Sequence, residues 1–345
     1  MAGGGVGANA GLNLELEQGG LASVTFVLRP NYETVKDKGF SIDSIDHGKW
    51  TGWQPSGGII RSVPGVTSGG IPPFDYILCC VKSVPDVAPL LADIIRPAVT
   101  LGYTVIVLIQ NGINIERPIL AAFKDNICLS GVSFCGAEED SPGNILHKDS
   151  DRIEIGPFLN PHIQLEVQER AARDFVLLYQ ASGKVKATLE MDALSARWRK
   201  FMFNAVYNPI CALTDLDISR IGLIGATEKK GSGIIECLIK PAMEGRAAAL
   251  ASANVNIDAT LVGKMIDPGP IASFIMPSMQ QDIGKNWYTE VESILGEALH
   301  EGLAAGVRMP IIGTLYYLCK LVQFRTKEAQ GLFDPAAYLS TYSKI

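Results

Sequence analysis

The chain has 345 residues, of which 47% are hydrophobic and 19% are charged, and its net charge is −6. This length allows two domains with sizeable cores, while the acidic balance excludes the basic surface needed to bind nucleic acid or an anionic membrane, and the apolar runs are too short to span a bilayer. Seven cysteines, which lie mostly in apolar runs and lack metal-ligand spacing, are typical of a reducing compartment, so we expect a cytoplasmic protein without a bound metal.

The first ten residues are rich in glycine and resemble the phosphate-binding loop of a dinucleotide-binding fold. Such a loop needs glycines because its backbone approaches a pyrophosphate at the start of a helix. The residues expected to contact the cofactor are Gly4, Gly5, Val6 and Gly7. Two registers fit, one with Ala2, Gly4 and Gly7 and one with Gly3, Gly5 and Ala8. The loop normally follows a strand, and none precedes it here, so a flexible terminus is the alternative.

The next segments predict which cofactor is bound. Residues 9–19 are predicted to form a short helix, and residues 23–28 alternate like a strand. In an NAD-binding unit this second strand ends in an acidic residue that binds the ribose 2′-hydroxyl, whereas here Arg29 follows. Because a guanidinium suits a 2′-phosphate, the sequence favours NADP over NAD, with a solvent-facing arginine as the alternative.

Two buried strands deliver polar residues to one edge of the predicted parallel sheet. Residues 76–81 and 104–109 are apolar runs, as expected of strands buried on both faces. Lys82 follows the first strand and Asn111 the second, at the carboxyl ends where such sheets bind ligands. The Asn-Gly pair taken alone would indicate only a turn. Residues 84–100, between the two strands, are predicted to form a helix.

The whole pattern predicts an α/β fold with two domains. Residues 143–147 and 151–157 are predicted to pair as antiparallel strands that close the first domain. Further strands are predicted at 39–45, 58–61, 127–134 and 184–190, with a helix at 168–181. Beyond residue 191 the predicted elements are amphipathic helices at 193–216, 232–253, 282–305 and 311–323. We therefore assign residues 1–190 to a Rossmann-like doubly wound domain and residues 191–345 to an all-helical domain.

A polar stripe marks the first helix of the second domain. Lys200, Asn204 and Asn208 are spaced four residues apart, so they share one face of an otherwise apolar helix. A lysine in apolar surroundings is partly desolvated, which lowers its pKa and makes it a usable proton donor. Pro209 follows directly, and a kink is expected there. The alternative is a surface lysine with two asparagines near a helix end.

A second polar group is predicted further along this domain. Ser278 precedes a predicted helix, and its hydroxyl can cap that helix. Glu290 lies within the helix predicted over 282–305. The alternatives are a plain capping serine and a solvated helix glutamate.

Four motifs together resemble the ketopantoate reductase (2-dehydropantoate 2-reductase) family. They are Gly-Gly-Val-Gly-Ala at 4–8, Gln-Asn-Gly at 110–112, Lys-x3-Asn-x3-Asn-Pro at 200–209, and Pro-Ser-Met-Gln-Gln-Asp at 277–282 followed by Glu290. They occur in the family's order, and the resemblance extends from the glycine loop to about residue 325. It implies NADPH-dependent reduction of a 2-oxo acid, 2-dehydropantoate to pantoate, in pantothenate biosynthesis, and it is compatible with a homodimer.

The resemblance also assigns a role to each candidate residue. Lys200 is the implied general acid, and Glu290 is implied to bind a substrate hydroxyl and to help set the charge of the lysine. Asn111 is implied to bridge Lys200 and the cofactor. Lys82 is implied to lie near the cofactor, because the family often has a lysine at this position. The remaining implied substrate ligands are Ser278 for the carboxylate, and Asn204 and Asn208 for the hydroxyl.

Two other functions stay open at this point. One is reduction of a different 2-oxo acid on the same fold, and the other is a non-catalytic nucleotide-binding or scaffold protein. The absence of a first strand supports the second, because that strand lies at the centre of a doubly wound sheet and residues 1–6 cannot supply it. We expect that the recorded start omits about 5–10 residues, the usual strand length plus a lead-in, and that the chain as written binds NADPH weakly.

Overall fold

The computed structural model confirms an α/β fold with a sheet-bearing first part and a helical second part. It describes residues 4–16, 22–66, 70–228, 231–252, 260–266 and 274–332, together with 334, 336 and 339. The chain divides into two compact units, one of Met1–Ser83 with Val87–Ala196 and the other of Val84–Asp86 with Arg197–Ile345. Within the described residues, no helix combines the length and the apolar character that crossing a membrane requires.

The first unit alternates helices and strands. In chain order they are α1 (Gly5–Glu15), β1 (Phe26–Val27), α2 (Tyr32–Lys38), β2 (Phe40–Ser44), β3 (Gly48–Trp53), β4 (Ile59–Ile60), β5 (Tyr76–Cys79), α3 (Leu91–Ile95), β6 (Val105–Leu108), α4 (Arg117–Ala122), β7 (Cys128–Ser133), β8 (Gly136–Ser141), β9 (Asn144–Asp149), β10 (Arg152–Pro157), α5 (Leu165–Gln180) and β11 (Lys186–Leu189). Across the described residues they form a five-stranded sheet of order β11-β10-β7-β6-β5, a four-stranded sheet of order β3-β2-β9-β8, and the pair β1-β4.

The five-stranded sheet supplies much of the core because its central strands are apolar on both faces. β5, β6 and β7 run parallel, with Cys79 level with Leu108 and Leu108 level with Ser130. In β6, Ile106, Val107 and Leu108 are completely buried, as the continuous apolar run predicts. β10 runs antiparallel to β7 and parallel to β11.

The parallel strands nearest the N-terminus belong to a separate sheet. β1 contains only Phe26 and Val27, fewer residues than the strand predicted over 23–28, and it pairs with Ile59 and Ile60. In the part of the chain that the structure describes, no strand precedes α1 and none joins β1 to β5. Within the described residues, the missing first strand that the sequence predicts therefore corresponds to a break between the β1-β4 pair and the five-stranded sheet.

The four-stranded sheet corrects one predicted pairing. The strands predicted at 143–147 and 151–157 do not pair with each other, because β9 pairs with β8 and β2 while β10 joins the five-stranded sheet. Gly143 has φ 79° in a tight turn, which makes β8 and β9 the hairpin. β8 reads Gly-Ala-Glu-Glu-Asp-Ser, so its acidic composition hid it from a prediction based on apolar alternation.

α1 begins at Gly5 and ends at Glu15, which corrects the helix predicted over 9–19. Gly5 packs against β8, since a Cβ built on it would lie 2.4 Å from the carbonyl oxygen of Ala137. The helix is buried on several sides and carries polar residues inward. Asn13 Nδ2 donates to the carbonyl of Tyr179 at 2.7 Å, and the Ser182 hydroxyl donates to Asn13 Oδ1 at 2.8 Å. The glycines therefore serve helix–strand contact as well as the start of the helix.

We predict that Gly5→Ala destabilises the first unit by about 1–3 kcal/mol, because either the helix or β8 must shift to admit the methyl group. Urea denaturation of the wild-type and variant chains measures this difference. The matched control is Gly4→Ala, where a Cβ meets nothing within 4 Å and the expected loss is the smaller of the two. Equal losses in the two variants would contradict the contact between Gly5 and β8.

The helix predicted over 84–100 is much shorter in the structure. α3 spans Leu91–Ile95 and continues as a 3-10 turn over Arg96–Ala98. Pro85 and Pro89 explain the difference, because proline lacks the N–H of a helix and disfavours the α conformation in the residue before it.

The second unit is helical. Its elements in chain order are α6 (Ala193–Thr214, whose first turn lies in the first unit), α7 (Ile218–Thr227), a π-helical turn (Ile235–Ile239) that continues into α8 (Lys240–Ser252), α9 (Leu261–Ile266), α10 (Ser278–Gly284), a π-helical turn (Glu292–Gly296) that continues into α11 (Glu297–Ala304), and α12 (Pro310–Ala329). The short segment Val84–Asp86 belongs to this unit, where Lys327 Nζ lies 2.8 Å from Asp86 Oδ2.

The helix predicted over 282–305 is interrupted. Asn286 has φ 54°, its N–H donates to the carbonyl of Ile283 at 3.0 Å, and the N–H of Trp287 donates to the carbonyl of Asp282 at 2.8 Å. These paired bonds form a Schellman motif, which ends α10. Glu290 consequently lies in an irregular segment before the next helical turn, rather than on a helix as predicted.

A buried arginine lies in the interior of the second unit. Arg246 on α8 is 0% exposed, and its guanidinium carbon lies 5.4 Å from the ring centroid of Trp198 on α6. Among the described residues, none of its three guanidinium nitrogens has a hydrogen-bond partner. Burial lowers the pKa of Arg246 to about 9, which leaves the group charged at neutral pH.

Candidate active site

The polar stripe on α6 is present in the second unit. Lys200, Asn204 and Asn208 all lie on this one helix, which continues past Pro209 to Thr214. Asn208 is buried, and Lys200 and Asn204 are half-buried. Lys200 Nζ lies 5.4 Å from the ring centroid of Phe201, so an aromatic side chain covers part of the ammonium. The helix thus presents a cation and two amides from an apolar surface.

Ser278 lies at the start of α10, close to the C-terminal end of α6. Gln280 Nε2 on α10 donates to Oδ1 of Asp215, the residue that follows α6, at 3.1 Å. Pro277 occupies the N-cap position and Ser278 is the first helical residue, so the predicted capping role of the serine is wrong. The hydroxyl is half-buried at the N-terminal end of α10. This position suits a carboxylate ligand, because N–H groups of a first helical turn lack partners within the helix.

Glu290 is almost completely buried, with 3% of its surface exposed. Its backbone carbonyl accepts a hydrogen bond from the N–H of Ile294 at 2.9 Å, which starts the next helical turn. That turn, Glu292–Gly296, is π-helical, a geometry often found at functional sites. The structure therefore places Glu290 in the same unit as Lys200, directly before a π-helical turn.

Two candidate cofactor residues of the first unit, Lys82 and Asn111, follow the carboxyl ends of neighbouring strands in the five-stranded sheet. Lys82 follows β5 by three residues and Asn111 follows β6 by three, and the last residues of these parallel strands, Cys79 and Leu108, are level. Gln110 Nε2 donates to the carbonyl of Val81 at 2.7 Å and ties the two strand ends together. Gln110 was not predicted as a site residue, although its place after a buried strand is a signal that could have identified it.

The start of α1 and the end of β1 have the chemistry that a phosphorylated dinucleotide needs. Among the residues that the structure describes, no side chain caps the N-terminus of α1, and none lies within 4 Å of a Cβ built on Gly4. The first-turn N–H groups at Gly5, Val6 and Gly7 can meet a pyrophosphate. Arg29 is exposed just beyond β1 and forms no ion pair or hydrogen bond within the described residues. These residues fit a nicotinamide dinucleotide.

The chain matches the family model described as ketopantoate reductase PanE/ApbA over residues 3–160, and the model of its C-terminal domain over residues 192–323. Together the two models cover most of both units.

Individual relatives match over nearly the whole chain. An uncharacterised protein of Saccharomyces cerevisiae, YDL144C, is 32% identical, with 95% of this chain and 94% of the relative covered. The crystal structure of 2-dehydropantoate 2-reductase from Methylococcus capsulatus has a TM-score of 0.74 at 28% identity, with 94% and 96% covered. A ternary structure of D-mandelate dehydrogenase with NADH and anilino(oxo)acetate has a TM-score of 0.74 at 18% identity, with 94% and 97% covered, and shows the shared fold.

Proposed function

The chain belongs to the ketopantoate reductase family and is an NAD(P)H-dependent oxidoreductase of 2-oxo acids, and we propose that it reduces 2-dehydropantoate to pantoate with NADPH. The observation that carries this proposal is the stripe of Lys200, Asn204 and Asn208 on α6, in one unit with Ser278 and Glu290. A purified chain that oxidises NADPH only when 2-dehydropantoate is present would support it, and the nicotinamide absorbance follows the reaction.

Each residue of the second unit has a chemical task in this proposal. Bound nicotinamide supplies the hydride for the ketone carbon. Lys200 donates a proton to the ketone oxygen as negative charge develops there, which is general acid catalysis. Ser278 binds the carboxylate, and Glu290 accepts a hydrogen bond from the substrate hydroxyl. The two asparagines orient that hydroxyl, since an amide both donates and accepts.

The residues of the first unit are proposed to hold the cofactor. Gly4, Gly5, Val6 and Gly7 present backbone N–H groups to the pyrophosphate, and Lys82 and Asn111 contact the cofactor at the sheet edge. Arg29 is proposed to bind the 2′-phosphate, which makes NADPH the preferred cofactor. A homodimer is part of the same proposal, and sedimentation velocity of the purified chain tests it.

We predict that Arg29→Asp weakens NADPH binding roughly 10- to 100-fold, because a charge-assisted contact is replaced by repulsion of the 2′-phosphate. NADH affinity should change much less, so the gap between the two cofactors narrows. Titration of protein fluorescence with each cofactor measures both values.

The matched control for this prediction is Arg61→Met. Arg61 follows β4, the strand paired with β1, but its guanidinium is ion-paired with Glu33 and lies 4.9 Å from the ring centroid of Tyr32. This engaged arginine should affect NADPH binding less than Arg29 does. A wild-type chain with equal affinity for NADPH and NADH would contradict the assignment.

Two alternative functions give different outcomes in the same assay. A reductase of another 2-oxo acid would leave 2-dehydropantoate untouched but oxidise the cofactor with a different member of a panel of 2-oxo acids. A nucleotide-binding scaffold would bind NADPH and turn over none of them. The second alternative is motivated by the break between the β1-β4 pair and the five-stranded sheet.

A further inference from the structure

One face of α12 holds the backbone on the N-terminal side of Glu290. Oε1 of Gln323 accepts from the N–H of Thr289 at 3.0 Å and from its hydroxyl at 3.2 Å, while Nε2 of Gln323 donates to the carbonyl of Thr289 at 3.2 Å. Gln323 and Thr289 are each only 3% exposed. The amide therefore satisfies both backbone groups of the residue that precedes Glu290.

The same face of α12 also binds the side chain of Glu292, two residues after Glu290. The Tyr316 hydroxyl donates to Glu292 Oε2 at 2.9 Å, and Lys320 Nζ lies 2.8 Å from Glu292 Oε1 and 3.2 Å from the Tyr316 hydroxyl. Burial and the contact with Glu292 raise the pKa of Tyr316, and the hydrogen bond to Glu292 raises the pKa of Lys320. These contacts hold the carboxylate of Glu292, the first residue of the π-helical turn, against α12.

Glycine at position 296 makes room for this arrangement. A Cβ on Gly296 would lie 2.6 Å from Glu292 Oε2 and 3.0 Å from Cε2 of Tyr316. Tyr316, Lys320 and Gln323 are spaced i, i+4 and i+7 on α12, so they share one face of the helix. The conformation of the segment 289–292 is thus set from α12 at two points, one on each side of Glu290.

We propose that this face of α12 positions the carboxylate of Glu290 for the substrate, and that Gln323 is a positioning residue of the reductase. The inference rests on the proposed function of Glu290. The other buried side chains of α12 are Ile312, Leu315, Tyr316, Cys319 and Thr326, and the Gln323 amide has the backbone of Thr289 as its partner. Without it, the buried N–H and C=O of Thr289 would lose their partners, and orphaned backbone groups are costly. The segment would then relax and take Glu290 out of position.

The main test is Gln323→Leu, which keeps a similar volume and removes all three hydrogen bonds to Thr289. We expect kcat/KM for 2-dehydropantoate to fall roughly 10- to 100-fold, the effect of small displacements of a binding group, while the KM for NADPH stays unchanged. Tyr316→Phe tests the other side independently, because it removes only the hydroxyl that binds Glu292. A fall in kcat/KM of the same kind, though smaller, is expected there.

Gln323→Glu gives a readout that a purely structural role would not move. A protonated carboxyl can accept from the N–H of Thr289 and donate to its carbonyl, whereas a carboxylate repels that carbonyl. Relative to wild type at each pH, activity of this variant should recover as the pH falls, and Gln323→Leu should show no such recovery. The titratable groups next to Thr289 and Gln323 along the two segments include Tyr288, Glu290, Glu292, Tyr316, Lys320 and Lys327, and all are retained in both variants.

A matched control lies one turn away on α12. Thr326 is buried, and its hydroxyl donates to the carbonyl of Val322 in its own helix at 3.2 Å. Thr326→Val removes a part-buried hydrogen bond within α12 and none to the segment 289–292, so its kcat/KM should match that of wild type. An equal loss in Thr326→Val and Gln323→Leu would overturn the proposal, because the effect would then be general to the helix.

Failure of this inference can be told apart from failure of the proposed function. If Glu290→Gln reduces kcat/KM while Gln323→Leu does not, α12 does not position Glu290. If Glu290→Gln has no effect, the proposed role of Glu290 fails instead. Hydrogen exchange of the Thr289 amide is a readout without substrate: it should be faster in Gln323→Leu than in Thr326→Val, and equal rates would overturn the inference.

Discussion

Replacing Lys200 with alanine is expected to lower kcat roughly 10²–10⁴-fold, the usual contribution of a general acid, and to leave NADPH affinity close to that of wild type. The hypothesis is motivated by the place of Lys200 on α6, in line with two amides and against the ring of Phe201. Only the proton transfer should suffer, because the residues proposed to hold the cofactor lie in the other unit. Steady-state kinetics with 2-dehydropantoate, together with fluorescence titration of NADPH, measure the two effects separately.

Lys240→Ala is the matched control for this experiment. Lys240 lies on α8 of the same unit, about half of its side chain is exposed, and its Nζ is 3.9 Å from Oε1 of Glu244. A surface pair of this kind contributes little to stability, so the variant should retain kcat. If Lys200→Ala also retained its kcat, another group would have to be the proton donor.

Arg246→Met is expected to stabilise the protein by about 1–4 kcal/mol, because a buried ion with no hydrogen-bond partner among the described residues is replaced by an apolar side chain of similar length. The sign is opposite to that of most core substitutions, which destabilise. The reason is that, among the described residues, the guanidinium has no hydrogen-bond partner, and its contact with the ring of Trp198 offsets only part of the cost of removing the charge from water. Urea denaturation followed by tryptophan fluorescence gives the difference in the free energy of unfolding.

The pH dependence gives a second check on Arg246. Its pKa is about 9 in the folded chain and 12.5 as the ordinary value, so between these values the unfolded chain binds more protons. The free energy of unfolding of the wild type therefore rises with pH through that range. The difference in stability between Arg246→Met and the wild type should become smaller there. Arg220→Met is the contrasting control, because the exposed Arg220 is paired with Asp217 and its loss should not stabilise. A destabilised Arg246→Met would mean that the charge is compensated.

The parts of the fold that the sequence predicts well depend on local patterns. The buried strand β6 is a continuous apolar run, and the stripe on α6 needs only the spacing of Lys200, Asn204 and Asn208. Both follow from periodicity, which one segment carries by itself. The family and the α/β fold are confirmed for the same reason, since each motif is contiguous and the order of motifs is visible in the chain.

The parts that were predicted wrongly or missed depend on backbone conformation or distant partners. α10 ends because Asn286 adopts a left-handed conformation, which an amphipathic pattern running through 282–305 does not reveal. β8 is acidic and becomes a strand by pairing with β9 and packing against α1. Gln323 could not be assigned to Thr289 because 34 positions separate them in the chain. The roles of the candidate site residues remain predictions that the variants above test.

The course of the polypeptide has a consequence for experiments that divide this protein. The backbone passes between the units at Ser83–Val84, again at Asp86–Val87, and finally at Ala196–Arg197. A single cut near residue 196 therefore leaves Val84–Asp86 attached to the N-terminal fragment. Lys327, whose Nζ donates to both the carboxylate and the backbone carbonyl of Asp86, would be on the other fragment. Separately expressed fragments would therefore not correspond to the two units. The contact between Asp86 and Lys327 should form only when the two fragments are combined.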